Sequence, residues 1–189
     1  GNSAANAFGA HVDNAVRTVT GSSFHVRTDL SATLFGATLP SPIFMAPIGV
    51  TGLCTQDGHG DIAAARASAA TGVPLTASTL SNDPLEDVKT ACGATPAMFQ
   101  LYTPRDPDVA ASLVSRAEAA GYAAIVVTLD TWVTGWRPRD LNVSNFPQLR
   151  GHVLQNYFVD PAFRKLLAQP PDLLGVHGVV GHHDGLGEQ

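Results

Sequence analysis

Charged residues are scarce in this sequence, and long apolar runs are absent. Lys, Arg, Asp and Glu make up 14% of the 189 residues, against about 25% in an ordinary domain. Eleven basic and sixteen acidic side chains give a net charge of −5, which argues against a nucleic-acid-binding protein that neutralises phosphates. No apolar run approaches the roughly 18 residues of a membrane span. Hydrophobic residues still reach 44%, so a sizeable buried core is expected.

Cysteine is also rare. Cys54 and Cys92 are the only two, and neither has a second cysteine or a suitably spaced histidine beside it. This pattern argues against a zinc site, and we expect no bound metal. Both cysteines lie in apolar or helical surroundings that are typical of buried free thiols. We therefore expect a soluble protein of a reducing compartment, the cytoplasm.

Short apolar runs alternate with helical patterns from residue 39 onwards. The runs predict strands at 43–46, 74–78, 97–101 and 124–129. The patterns between them predict helices at 57–71, 82–92 and 106–120, each followed by a glycine. We expect Asn82 or Asp83 to cap the second helix, with Pro84 in its first turn.

This alternation indicates a parallel sheet that is covered on its faces. It fits a doubly wound sheet or a (β/α)₈ barrel, and two features favour the barrel. The first strand is not followed by the Gly-x-Gly-x-x-Gly motif of a dinucleotide-binding sheet. Polar or small residues also recur at the carboxyl ends of the strands, where barrel enzymes place their active sites. We therefore predict an α/β fold of the (β/α)₈ TIM-barrel family.

The barrel in this chain is expected to be incomplete, because four β/α units are half of eight and a complete barrel takes about 250 residues. We expect a lead-in segment at 1–38, the first four units at 39–131 and an active-site loop region at 132–171. Residues 172–189 hold five glycines and three of the seven histidines. They show no strand or helix pattern, and we expect a tail of unrelated character.

Several motifs, in this order, resemble the FMN-dependent 2-hydroxy-acid dehydrogenases and oxidases. They are Ala46-Pro47-Ile48-Gly49-Val50, Gln100-Leu101-Tyr102, Val127-Thr128-Leu129-Asp130-Thr131-Trp132 and Thr134-Gly135-Trp136-Arg137-Pro138-Arg139-Asp140-Leu141. The last motif, with the following Ser144-Asn145-Phe146-Pro147, is similar to the lactate 2-monooxygenase branch of that family. One motif alone would be weak evidence for the family, but the ordered combination is specific. The resemblance covers about residues 29–170.

The resemblance implies that FMN lies against the carboxyl ends of the strands. The backbone of Pro47-Ile48-Gly49 would pack against the flavin ring, which a glycine without a Cβ lets approach closely. Ser78, Gln100 and Thr128 would form hydrogen bonds with the polar edge of the ring and tune its chemistry.

The resemblance also implies three residues that act on the substrate. Tyr102 would place its hydroxyl near a small 2-hydroxy acid, as a catalytic and substrate-binding residue. Arg137 would pair with the substrate carboxylate, which suits a planar guanidinium. Asp130 would be catalytic by orienting a histidine and stabilising its cationic form.

The reaction that the resemblance implies is the oxidation of L-lactate by O₂ to acetate, CO₂ and water. In the family, a histidine in a His-Gly-Gly-Arg-Gln segment is the general base, a lysine stabilises reduced flavin, and glycine-rich loops bind the FMN phosphate. None of these segments occurs in this sequence. Because proton abstraction needs a positioned base, we expect the chain to be inactive alone.

Two alternatives remain open. One is a sibling activity, either an L-lactate or glycolate oxidase or a quinone-linked dehydrogenase. The other is a truncated remnant without catalysis. Family members are commonly homo-oligomers, but four strands leave their edges and apolar helix faces without partners.

Overall fold

The computed structural model describes residues 29–34, 36–131, 133, 135–143, 146–150 and 152–168. The strands are β1 (Ala32–Leu34), β2 (Ala37–Leu39), β3 (Leu75–Ala77), β4 (Ala97–Leu101) and β5 (Ala124–Val127). The α-helices are α1 (Gly60–Thr71), α2 (Leu85–Ala91), α3 (Pro107–Ala120), α4 (Pro138–Val143), α5 (Gln155–Phe158) and α6 (Pro161–Lys165). Two 3₁₀ helices span Thr51–Cys54 and Pro147–Arg150.

The main sheet is parallel, as predicted, with the strand order β3-β4-β5. Leu75 is opposite Ala97, and Met98 is opposite Ala124. Each crossover between these strands contains one helix, so the described chain is an α/β fold. Among the described residues, no strand follows β5.

The predicted strand 43–46 joins this sheet at one residue only. Met45 forms a parallel bridge with Leu75. Its N–H donates to the carbonyl of Pro74 at 2.9 Å, and its carbonyl accepts from Thr76 at 3.0 Å. Prolines at 42 and 47 have no N–H to extend this pairing.

Two helices begin later than predicted. α1 begins at Gly60 because Asp57 Oδ1 first accepts a turn hydrogen bond from the N–H of His59. α2 begins at Leu85, and neither Asn82 nor Asp83 caps it. Their side chains bind His59, Gly58 and Val153 instead.

α3 follows the prediction closely. Asp106 Oδ1 accepts hydrogen bonds from the N–H groups of Asp108 and Val109, which makes it the N-cap. Pro107 occupies the first helical position. The helix ends at Gly121, whose φ of 86° lies in the left-handed region that glycine tolerates.

The hydrophobic core lies between the sheet and the helices α1 to α3. Phe99 and Leu113 are both 0% exposed, and the Phe99 ring packs against that of Tyr122 at 5.8 Å. The other strand residues of the core are Leu75, Ala77, Ala97 and Leu101. Since these alternate along β3 and β4, the intervening polar side chains lie on the opposite face of the sheet.

The antiparallel hairpin β1–β2 was not predicted and lies within and just beyond the expected lead-in segment. Its apolar side chains line one small cavity together with residues that precede β3, β4 and β5. The lining includes Leu34, Leu39, Pro74, Pro96 and Ala123. The hairpin therefore closes the amino-terminal end of the sheet and leaves the carboxyl end open.

The segment after β5, for which an active-site loop region is predicted, contains short helices. At Leu154 it pairs with the loop after β3, where Leu154 forms an isolated parallel bridge with Ser81. The expected tail at 172–189 and Trp132 lie outside the described residues. Cys92 is buried, as expected, but Cys54 is exposed. None of the helices described combines the length and apolar character needed to cross a membrane.

Candidate active site at the carboxyl end of the sheet

Three of the predicted site residues form one hydrogen-bonded row across the ends of β3, β4 and β5. The Gln100 side chain lies in the middle and is 1% exposed. Its Oε1 accepts from the Ser78 hydroxyl at 3.4 Å, and its Nε2 donates to Thr128 Oγ1 at 2.7 Å. The parallel register brings together side chains that are up to 50 positions apart in the sequence (128 − 78).

Thr79, which the sequence analysis missed, connects this row to the backbone. Its N–H donates to Gln100 Oε1 at 3.1 Å, and its hydroxyl donates to the Gln100 carbonyl at 2.5 Å. The same hydroxyl accepts from the N–H of Tyr102 at 3.1 Å. A polar residue next to Ser78 at a strand end was the available signal.

The segment Pro47-Ile48-Gly49 lies beside the Ser78 end of the row. A Cβ placed on Gly49 would lie 3.5 Å from Ser78 Oγ and 3.4 Å from the Cβ of Leu80. The N–H of Val50 donates to the carbonyl of Leu80 at 3.0 Å, which fixes this approach. Pro47 is exposed, and so is the side chain of Ile48 at 65%. An apolar surface therefore borders the polar row.

The other predicted residues are arranged more loosely. Tyr102 follows β4 and is half-buried, and its N–H reaches the row through Thr79. Asp130 and Arg137 are exposed on the segment after β5. Within the described residues, no hydrogen bond or ion pair joins either side chain to the row.

Asn156 is a second residue that sequence reasoning missed. It is 0% exposed, and its Nδ2 donates to the carbonyls of Ser78 at 3.3 Å and Thr79 at 3.0 Å. Its Oδ1 accepts from the N–H of Leu85 at 2.7 Å. Asn156 thus ties α5 to the loop after β3, a contact between distant parts of the sequence that no local pattern indicates.

A separate polar cluster lies behind this loop. His59 Nδ1 lies 2.5 Å from Asp83 Oδ1, and this hydrogen bond raises the pKa of the histidine. Burial raises the pKa of Asp61, and the nearby Thr51 and Ser81 hydroxyls offset this only in part. Among the described residues, Asp61 Oδ2 and Thr51 Oγ1 have no partner at hydrogen-bond geometry. No group of three or more metal-ligating side chains gathers within the described ranges.

A model of the family described as FMN-dependent dehydrogenase matches residues 17–177. The chain belongs to this family. Its members use FMN as their cofactor. Solved structures that are similar to this chain come from the same family, whose members fold as TIM barrels. One is a mandelate oxidase, 36% identical with a TM-score of 0.57, covering 62% of this chain and 33% of that protein. Another is a variant of an active chimera of (S)-mandelate dehydrogenase, 32% identical with a TM-score of 0.59, covering 68% and 35%.

Curated relatives in the FMN-dependent dehydrogenase family carry lactate names. An L-lactate oxidase of Lysinibacillus sphaericus is 38% identical over 150 residues, which are 79% of this chain and 38% of that protein. An L-lactate dehydrogenase of Pseudomonas aeruginosa is 37% identical over 161 residues, 83% of this chain and 42% of that protein. The chain therefore spans about two fifths of the length of these relatives.

The residues at the carboxyl end of the sheet fit an FMN ring. A flavin has an apolar face and one edge with several polar atoms, and the site pairs the apolar Pro47-Ile48-Gly49 surface with a polar row. Gln100 Nε2 carries two hydrogens, of which Thr128 takes one. Thr128 Oγ1 accepts from Gln100, so its own hydrogen is available to a ligand.

Proposed function

We propose that this chain supplies the flavin-ring site of an FMN-dependent L-2-hydroxy-acid oxidoreductase. In this proposal, residues 39–131 are the first four β/α units of a (β/α)₈ barrel, residues 1–38 lead into it, and residues 132–171 form the active-site loop region. The row of Ser78, Gln100 and Thr128 is the observation that carries the proposal, because it is a polar edge at the carboxyl ends of the strands, where the resemblance implies that FMN binds.

The proposed cofactor contacts follow from this geometry. The row donates hydrogen bonds to the polar edge of the flavin ring, and Pro47-Ile48-Gly49 packs against one face. Bound FMN would supply the hydride acceptor that oxidation of a 2-hydroxy acid requires. The residues of this chain orient the ring and exclude water from the side that Gly49 faces.

Three further residues are proposed to act on the substrate. The hydroxyl of Tyr102 binds the hydroxy acid next to the row, since its backbone is held by Thr79. Arg137 pairs with the substrate carboxylate, and Asp130 orients the general base. Both lie exposed on the segment after β5.

The proposed overall reaction is that of a lactate 2-monooxygenase, in which L-lactate and O₂ give acetate, CO₂ and water. The Gly135-Trp136-Arg137-Pro138 run supports this branch. L-lactate oxidation to pyruvate with release of hydrogen peroxide is the second candidate. The L-lactate oxidase of Lysinibacillus sphaericus, 38% identical, favours it.

The 189-residue chain by itself is proposed to bind FMN without turning over lactate. Its sequence contains no His-Gly-Gly-Arg-Gln segment to supply the base, and proton abstraction needs such a group. Homo-oligomerisation, a cytoplasmic location and the character of residues 172–189 stay predictions.

The test is a titration of the purified chain with FMN, followed by visible absorbance and flavin fluorescence. We expect quenching of FMN fluorescence by wild type and by Gln56→Leu, an exposed control, and its loss in Gln100→Leu. Equal binding by Gln100→Leu, or no binding by wild type, would contradict the proposed site.

Anaerobic L-lactate is then added to the loaded chain. We expect no bleaching of the flavin absorbance. Bleaching would contradict the proposed inactivity. Product analysis in air would in that case separate the two candidates, because one yields acetate and the other yields pyruvate and hydrogen peroxide.

A further inference from the structure

Thr79 is buried beside the row, yet it is not one of the residues proposed to touch cofactor or substrate. It is 0% exposed. Its N–H and hydroxyl together make three hydrogen bonds to the end of β4, two to Gln100 and one to Tyr102. A single residue of the loop after β3 therefore holds both a proposed flavin contact and a proposed substrate contact.

The bond from the Thr79 N–H determines which end of the Gln100 amide faces the site, and the two bonds of the Thr79 hydroxyl hold the backbone at the end of β4 in place beside that N–H. A backbone N–H only donates, so the atom of Gln100 that lies 3.1 Å from the Thr79 nitrogen must be the amide oxygen. The NH₂ group then points to Thr128, whose Oγ1 accepts at 2.7 Å. The hydrogen bonds therefore all point the same way, with Thr79 donating to Gln100 and Gln100 donating to Thr128. The Thr128 hydroxyl and the second Nε2 hydrogen of Gln100 remain as donors for a ligand.

We propose that Thr79 is a positioning residue for the flavin ring, which fixes the Gln100 amide so that Gln100 and Thr128 both present hydrogen-bond donors to it. This inference rests on the proposed function and specifies the direction of the hydrogen bonds between the protein and the flavin ring. Donors that face the polar edge of the ring stabilise the negative charge that reduction places there. Thr79 thereby raises the reduction potential of bound FMN without contacting it.

Asn156 supports this arrangement from the opposite side. Its Nδ2 donates to the carbonyl of Thr79 at 3.0 Å and to that of Ser78 at 3.3 Å. The peptide whose N–H orients Gln100 is therefore held on both sides, by β4 and by α5. Thr79 and Asn156 are both 0% exposed.

The decisive comparison is between Thr79→Val and Thr79→Ser in the full chain. Valine has nearly the same shape as threonine but lacks the hydroxyl, so Thr79→Val keeps the N–H that donates to Gln100 Oε1 and releases the backbone of Gln100 and Tyr102 from the loop. Serine keeps the hydroxyl, so the pair of variants tests whether the hydroxyl holds the Gln100 amide in position. Thr76→Val is the matched control, because Thr76 lies on β3, is also buried, at 4%, and precedes Ser78 by two residues. In the FMN-free, ¹⁵N-labelled chain, we expect Thr79→Val to shift the Gln100 side-chain NH₂ resonances and to speed hydrogen exchange at the Tyr102 amide. Thr79→Ser should keep the wild-type resonances and the wild-type exchange rate.

In the FMN-loaded chain, we expect Thr79→Val to weaken the binding of reduced FMN about tenfold more than the binding of oxidised FMN. This difference corresponds to a fall of about 30 mV in the two-electron reduction potential of the bound FMN. Thr79→Ser and Thr76→Val should keep the wild-type potential. If wild type binds FMN and Thr79→Val keeps that potential, the inference is overturned while the proposed function stands. If wild type binds no FMN, both fall.

Discussion

The guanidinium of Arg116 meets the carboxylate of Glu86 in a two-point hydrogen bond. Nε donates to Oε1 at 2.8 Å, and Nη2 donates to Oε2 at 2.9 Å. The remaining Nη1 donates to Asp160 Oδ2 at 3.0 Å and to the carbonyl of Asn156 at 2.7 Å. One side chain of α3 therefore joins α2 to the segment that carries Asn156 behind the candidate site.

We expect Arg116→Met to lower the free energy of unfolding by about 3 kcal/mol, because it leaves the fully buried Asp160 carboxylate without its cation. Urea denaturation followed by circular dichroism measures the change. Arg66→Met, on the exposed side of α1, is the control and should change stability by less than about 0.5 kcal/mol. Equal effects of the two variants would mean that the Arg116 contacts contribute nothing measurable.

The same network predicts a loss of stability in acid. Burial opposes ionisation of Asp160, but hydrogen bonds from the Phe163 N–H, the Ser112 hydroxyl and Arg116 hold its pKa below its ordinary value. A depressed pKa stabilises the fold above the unfolded value, about 3.9, and this contribution disappears as the pH falls through the folded value.

Asp160→Asn isolates this effect, because asparagine can still cap α6 but cannot titrate. The variant should be less stable than wild type at pH 6. The difference between them should shrink below pH 4, as measured by urea denaturation across that range. A difference that stays constant from pH 6 to pH 2 would contradict the assignment.

Local sequence patterns were enough to predict the elements that build the sheet. Apolar runs and capped helices determine β4 and α3 almost to the residue, because their signals are contained in the segments themselves. Ser78, Gln100 and Thr128 were found as a set, since the ends of parallel strands meet at one edge. The resemblance to a known family, rather than the polarity of these residues, indicated a flavin.

The parts that could not be predicted depend on contacts between distant segments. Helix periodicity indicates that Glu86 lies on a polar face, but nothing local indicates its pairing with Arg116. Asn82 has the sequence context of a cap, yet it binds Gly58 and Val153 because those backbones come within reach only after folding. Asn156 is missed for the same reason.

Gly60 provides a test of the close packing between α1 and the preceding turn. A Cβ at this position would lie 2.2 Å from the carbonyl oxygen of Thr51, which is backbone and has little room to move. We therefore expect Gly60→Ala to destabilise the chain by about 3 kcal/mol, measured by thermal or urea unfolding. Gly135→Ala is the matched control, since nothing lies within 4 Å of its Cβ. Similar stability of the two variants would show that the turn relaxes.

Thr128→Val tests the far end of the polar row without disturbing Thr79. It removes the oxygen that accepts from Gln100 Nε2 at 2.7 Å and the hydroxyl hydrogen that faces the proposed ring. We expect about tenfold weaker FMN binding, the effect of roughly one hydrogen bond, in a fluorescence titration. Thr131→Val, at an exposed position, should bind like wild type. Undiminished binding by Thr128→Val would remove Thr128 from the proposed site.

Asp61→Asn should stabilise the protein, which is unusual for a substitution of a buried residue. The Asp61 side chain is 5% exposed, and its pKa is raised, chiefly by burial. An acid with a raised folded pKa costs stability as the pH rises above its unfolded value, because the unfolded chain then releases the proton more readily. An asparagine has no carboxylate charge to desolvate, and its amide lies beside the same Thr51 and Ser81 hydroxyls. We expect Asp61→Asn to raise the free energy of unfolding by about 1 kcal/mol at pH 7 and to leave it unchanged at pH 3.

The exposed Asp87→Asn on α2 is the control. A gain that is independent of pH would mean that the Asp61 carboxyl does not titrate as its burial requires.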